Sequence, residues 1–142
     1  MWASAEGPPK LPPVPAPAQA APMTTPTPQP VIQAQLDAYN RHDAEAFAAT
    51  YGPEAEILEL ATGTLIAKGT AAIRAFYAAR FQANPKLHAE VLHRTLQGAF
   101  VVDQERITGV RNPVDGVERP PLTAVVIYEL REGRIARAWM VR

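Results

Sequence analysis

VIQAQLDAYNRHDAEAFAATYGPEAEI, residues 31–57, reads as a helix, a break, and a second, shorter helix that runs into a strand. Ile32, Leu36 and Tyr39 recur at i, i+4 and i+7, which gives the first helix one apolar face. Asn40-Arg41-His42-Asp43 breaks that period. Asp43 is placed to cap the next helix, because a carboxylate there accepts from the unpaired N–H groups of the first turn. That helix carries Phe47 and Tyr51, and Gly52-Pro53 is expected to end it. The strand EAEILEL, residues 54–60, then turns at Thr62-Gly63.

Further along, Thr70 can cap a third helix in which Ile73, Phe76, Tyr77 and Phe81 fall at i, i+3, i+4 and i+8, stopped by Asn84-Pro85. From Leu87 the pattern is strand, turn, strand. LHAEVLHRTLQ (87–97) leads through Gly98 to AFVVDQERITGV (99–110), and RNPVDGVERPP (111–121) reads as a long hairpin connection. LTAVVIYEL (122–130) turns at Glu132-Gly133 into RIARAWMVR (134–142). Three helices with one early strand, followed by a four-stranded meander, define the α+β class: helices packed on a curved antiparallel sheet. Residues 31–142 are enough to bury a core of their own.

Residues 1–30 are different material, holding ten of the fifteen prolines. They are expected to form an extended or disordered Pro/Ala-rich arm. Ala3-Ser4-Ala5 matches the small-x-small pattern of a signal-peptidase site, without the basic and apolar regions that precede one. One reading is the remnant of an export signal, giving a periplasmic or secreted protein. The other is a chance triplet in an Ala-rich segment, like Ala18-Gln19-Ala20, in a cytoplasmic one.

Composition removes whole classes of chemistry. Fourteen basic and fourteen acidic residues cancel without forming runs, which argues against nucleic acid as a partner. No apolar run approaches the roughly 20 residues of a membrane span. With no cysteine and with Ser4 the only serine, thiolate and serine nucleophiles are left out. His88 and His93, five apart on one strand, are expected on opposite faces, so no metal site is expected. His42, in the helix-helix turn, is expected to be a solvated loop residue.

Asn40-x-x-Asp43, followed by the GTAAIRAFY of Gly69–Tyr77 and the closing meander, resembles the nuclear transport factor 2-like superfamily. Within it the chain is most similar to the ketosteroid isomerase and SnoaL-like polyketide cyclase branches. The resemblance implies a cone-shaped, cystatin-like roll whose open end holds an apolar pocket, with pairing into a homodimer through the sheet. It also implies cofactor-independent acid–base chemistry on a small apolar or carbonyl-containing molecule. In ketosteroid isomerases a carboxylate base works against an oxyanion hole of Tyr and a protonated Asp. Counted from Asn40 without a gap, the base falls on Glu59. The oxyanion Tyr falls on Gln35, the Asp on Val126 or Ile127, and a supporting Tyr on Tyr77. Both principal oxyanion donors are thus replaced, Gln35 keeping a weaker neutral donor and Val126 none; loss of one donor typically costs about 2.7–4 kcal/mol of barrier, so steroid isomerisation itself is not expected.

Glu59 is therefore the candidate general base, its pKa raised by apolar walls such as Ile57, Leu65 and Phe76. Tyr77, Gln35 and His93 are its candidate acid–base and enolate-stabilising partners, and Ile57, Phe76, Phe100, Val126, Tyr128 and Trp139 the candidate ligand contacts. Strand alternation puts Ile57 and Ala61 on the face of Glu59, leaving a surface ion pair with an arginine as the other reading. Asp103 and Glu105 share a strand face with Val101 and Ile107. They read as an acid–base pair, a charged face near Arg94 or Arg106, or an interior ion pair with an arginine that would orient a polar substrate. A non-catalytic ligand-binding or dimeric assembly domain is the alternative to an enzyme.

Overall fold

The computed structural model describes residues 28–142. The expected arm therefore lies outside the described residues as far as residue 27. Residues 28–30 instead form the first turn of helix α1 (Pro28–Asn40), where proline fits because first-turn N–H groups have no helical partner. Then follow α2 (Ala44–Ala49), β1 (Tyr51–Glu59), β2 (Leu65–Lys68), α3 (Thr70–Ala83), β3 (His88–Gln97), β4 (Phe100–Thr108), β5 (Leu122–Arg131) and β6 (Arg134–Val141). The six strands make one curved sheet in the order β2-β1-β6-β5-β4-β3. The meander is antiparallel throughout, and β1 adds to its last strand, β6, in parallel. Ile32 of α1, Phe47 of α2 and Ile73 of α3 pack with Ile57, Val101 and Ile135 of the strands in one buried core.

The Asn40-x-x-Asp43 motif has a structural meaning. Asn40 donates from Nδ2 to the Ala89 carbonyl at 2.9 Å and accepts from the Ala89 N–H at 2.8 Å, which sutures the end of α1 to β3. Asp43 caps α2 as expected, accepting from the Ala46 N–H at 2.9 Å. His42 is no solvated loop residue. It takes a positive φ of 59°, donates to the Leu87 carbonyl over 2.7 Å, and stacks on Phe81 with centroids 5.0 Å apart.

Three local features differ from expectation. The second helix ends at Ala49, where the Thr50 hydroxyl bonds back to the Phe47 carbonyl at 2.7 Å, so Tyr51 already opens a strand. Residues 65–68 form a strand that was not expected, paired antiparallel to β1. A register shift between Val91 and His93 places His88 opposite Thr108 and His93 opposite Gln104, so both histidines share the outer sheet face. They lie four residue pairs apart, about 13 Å at the usual strand rise, too far to share a ligand.

Candidate functional site

The inner sheet face and the three helices enclose a cavity of about 130 Å³. Helix α1 contributes Gln35 and Tyr39, β1 Tyr51 and Ile57, α3 Tyr77 and Arg80, β5 Val126 and Tyr128, and β4 Glu105. Each reaches inward because it lies on the core-facing stripe of its helix or on the inward alternation of its strand.

Glu105 is the unusual group. It is only 6% exposed, and among the described residues its carboxyl has no hydrogen-bonding partner. Among the described residues no fully enclosed side-chain oxygen or nitrogen lacks a partner, so this carboxyl opens into the cavity. Burial, then the neighbouring Asp103 charge, push its pKa up from 4.5 to about 7, against a smaller downward pull from Arg94. Near neutral pH Glu105 therefore divides about evenly between acid and carboxylate.

Asp103, two residues earlier on the same face, is 1% exposed and takes the Arg94 guanidinium in two bonds, 2.7 Å from Nε and 2.8 Å from Nη2. Arg94 Nη1 also donates to Gln33 of α1 at 3.2 Å. The two carboxylates have thus separated into an interior ion pair and an unpaired acid, while Arg106 faces outward toward Glu90 at 3.9 Å.

A chain of hydrogen bonds runs beside Glu105. Tyr128 donates to Gln35 Oε1 at 3.4 Å, and Gln35 Nε2 donates to the Tyr51 hydroxyl at 3.2 Å. Tyr51 is left with its own proton to donate. Burial raises the Tyr51, Tyr77 and Tyr128 phenols, so all three stay protonated and serve as hydrogen-bond donors.

Of the residues singled out in the sequence, Gln35, Ile57, Tyr77, Val126 and Tyr128 meet at this cavity. Glu59 does not line it. It lies at the far end of β1, with its carboxylate 3.4 Å from the guanidinium of Arg142. His93 is exposed on the outer face, Phe76 is exposed on α3, and Phe100 is exposed at the start of β4. Trp139 also sits on the outer face, opposite Ile127, with the Arg137 guanidinium 5.6 Å above its ring. Tyr39, Tyr51, Arg80 and Arg119 line the cavity in addition to the sequence candidates, and in the sequence Glu105 stands out only as one of a pair with Asp103. The available signal for Glu105 was its place between Val101 and Ile107 on one strand face.

A curved sheet with three helices on one face and a cavity between the layers is the architecture of nuclear transport factor 2-like proteins. The chain belongs to the SnoaL-like domain family, whose model matches residues 32–138. An uncharacterised cystatin-fold protein from Novosphingobium aromaticivorans has the same fold, with a TM-score of 0.76 at 21% identity over 83% of this chain and 100% of that one. A candidate polyketide cyclase from Sinorhizobium meliloti gives 0.65 at 25% identity over 78% and 93%. TerC, crystallised with polyporic acid, gives 0.66 at 19% identity over 79% and 88%. No curated protein matches the chain in sequence.

Proposed function

We propose that this SnoaL-like domain is a small-molecule enzyme that moves a proton at a carbon next to a carbonyl, with Glu105 as the acid–base group. The observation that carries the reading is an unpaired carboxyl, 6% exposed, that opens into a cavity lined by four tyrosines, with burial raising its pKa to about 7. A general base works best with a pKa near the working pH, and this one is tuned there by burial. Glu59 is a weaker base candidate, because the Arg142 guanidinium already holds its charge. As a carboxylate, Glu105 takes the α-proton. The enolate oxygen that develops accepts a hydrogen bond from the Tyr51 hydroxyl, polarised through Gln35 and Tyr128, or from Tyr77. Return of the proton to another carbon gives isomerisation, and attack of the enolate carbon on a second carbonyl gives ring closure.

The test is solvent deuterium incorporation, followed by NMR, across a panel of single-ring and short-chain ketones and keto acids. The native chain is expected to exchange α-protons faster as pH rises through 7. Glu105→Gln is expected to lose about 10²–10⁴-fold of that rate, while Glu59→Gln keeps it. Full exchange by Glu105→Gln would remove Glu105 from the role.

The raised phenols favour a second reading. Tyr51, Tyr77 and Tyr128 are poorer acids than free tyrosine, which suits a binding pocket better than an oxyanion hole. A native chain that binds panel members and exchanges none of them is a carrier rather than an enzyme.

A further inference from the structure

We infer, building on that reading of the cavity, that its guest is a small organic anion: a carboxylate on a single ring or comparably short chain, met by Arg80 and Arg119. The charged residues lining the cavity are Glu105 and three arginines, Arg80, Arg119 and Arg142. Glu105 is buried, whereas Arg80 is half-buried and Arg119 and Arg142 are exposed, so the positive charge lies toward the solvent side. Arg142 is engaged by Glu59, but neither Arg80 nor Arg119 has an ion-pair partner among the described residues.

Arg80 lies within hydrogen-bonding reach of the Tyr39 phenol, a neutral partner that leaves its charge uncompensated, and both arginines stand on anchored backbone. The Arg80 carbonyl accepts from the Asn84 N–H at 3.0 Å and from Asn84 Nδ2 at 2.9 Å, and the Arg119 N–H donates to Val110 at 2.7 Å. Positive charge reaches the interior as well. Burial raises the Tyr39 and Tyr77 phenols, and Arg80 and Arg142 pull both back. A guanidinium without an ion pair at the edge of a cavity is a ready donor to a planar carboxylate. Size narrows the class. The volume of about 130 Å³ is close to the roughly 150 Å³ of a cavity that accepts one benzene molecule, and far too small for a four-ring skeleton. Seated with its carboxylate at the arginines, such a guest presents its ring or keto carbon toward Glu105.

Calorimetric titration of the full chain at pH 6, with benzoate, benzamide and benzylammonium as probes, tests this without a catalytic readout. Benzoate is expected to bind about 10-fold or more tightly than benzamide, with benzylammonium weakest. Arg119→Gln is expected to reduce that preference and Arg80→Gln/Arg119→Gln to abolish it, with benzoate affinity falling far more than benzamide affinity. Glu105→Gln is expected to keep the preference. Equal binding of benzoate and benzamide overturns the inference while leaving the acid–base cavity intact, as does a preference that survives in the double variant. Failure of all three probes to bind overturns the cavity reading together with it.

Discussion

Glu105 is worth more to the folded chain as a neutral acid than as a carboxylate, because the cavity gives its charge no partner and Asp103 adds a like charge beside it. Between pH 4.5 and about 7 the folded state keeps a proton that the unfolded chain has released. Stability therefore falls as pH rises through that window, and above it the ionised Glu105 costs roughly 3 kcal/mol. Glu105→Gln is expected to equal the native chain in urea denaturation near pH 4 and to exceed it by up to roughly 3 kcal/mol at pH 8. Parallel curves for the two proteins across that range would sink the assignment. The sequence pointed first to Glu59 instead, because the gapless count from Asn40 in the family resemblance put the base there. Along β1 the alternation Tyr51, Ala55, Ile57 is buried, but Glu59 lies at the strand's end, where the Arg142 guanidinium takes its carboxylate. Against β5, β4 runs from Phe100 to Ile107 without a shift, and there the alternation Val101, Asp103, Glu105, Ile107 reported the inner face correctly.

The β4–β5 connection, carrying Val110 and Arg119 at the cavity, is held by backbone contacts at two places. Buried Asn84 accepts from the Arg111 N–H at 2.8 Å, tying the loop to the end of α3. Gly109 has a φ of 80°, and a Cβ there would stand 2.0 Å from the Lys86 carbonyl oxygen. Gly63 has a similar φ of 73° but open space around it. Gly109→Ala is expected to lose about 3 kcal/mol or more in urea denaturation, because a backbone clash adds to the strained φ. Gly63→Ala, carrying the φ penalty alone, is expected to lose about 1–2 kcal/mol. Equal losses would show that the loop contact is dispensable. The loop was legible from its prolines and Asp115-Gly116, and the hairpin turn at Glu132-Gly133 from its composition; both central residues there have positive φ, as a two-residue turn requires. Strand β2 was not legible. Its four residues carry no alternation of their own and are held by pairing to β1, which only the fold supplies.

At the scale of the molecule, the sheet has two apolar faces and, among the described residues, one covering layer. Val125-Val126-Ile127-Tyr128 in β5 is apolar at every position, the pattern of a strand that is covered on both sides. Val126 and Tyr128 go to the core, while Val125 and Ile127 stay half-buried on the outer face. There Leu58, Trp139, Ile127 and Val102 stand in register across β1, β6, β5 and β4. Among the described residues the three helices pack on the opposite face, and we propose that this row pairs with the same row of a second copy. Ion pairs of Glu56 with Arg137 at 3.2 Å and of Glu129 with Arg131 at 3.3 Å edge it, which leaves the apolar row as the central contact. A two-fold pairing would bring the same row from each copy together and bury Trp139 and Ile127 in one step. Light scattering on the native chain is accordingly expected to give twice the 15.4 kDa of one copy. Ile127→Glu, which forces two buried carboxylates together at the axis, is expected to return the mass to 15.4 kDa while leaving benzoate binding in place, because the cavity opens on the other face. A native chain that runs as a single copy at micromolar concentration, or an Ile127→Glu chain that stays paired, would assign this face to some other contact.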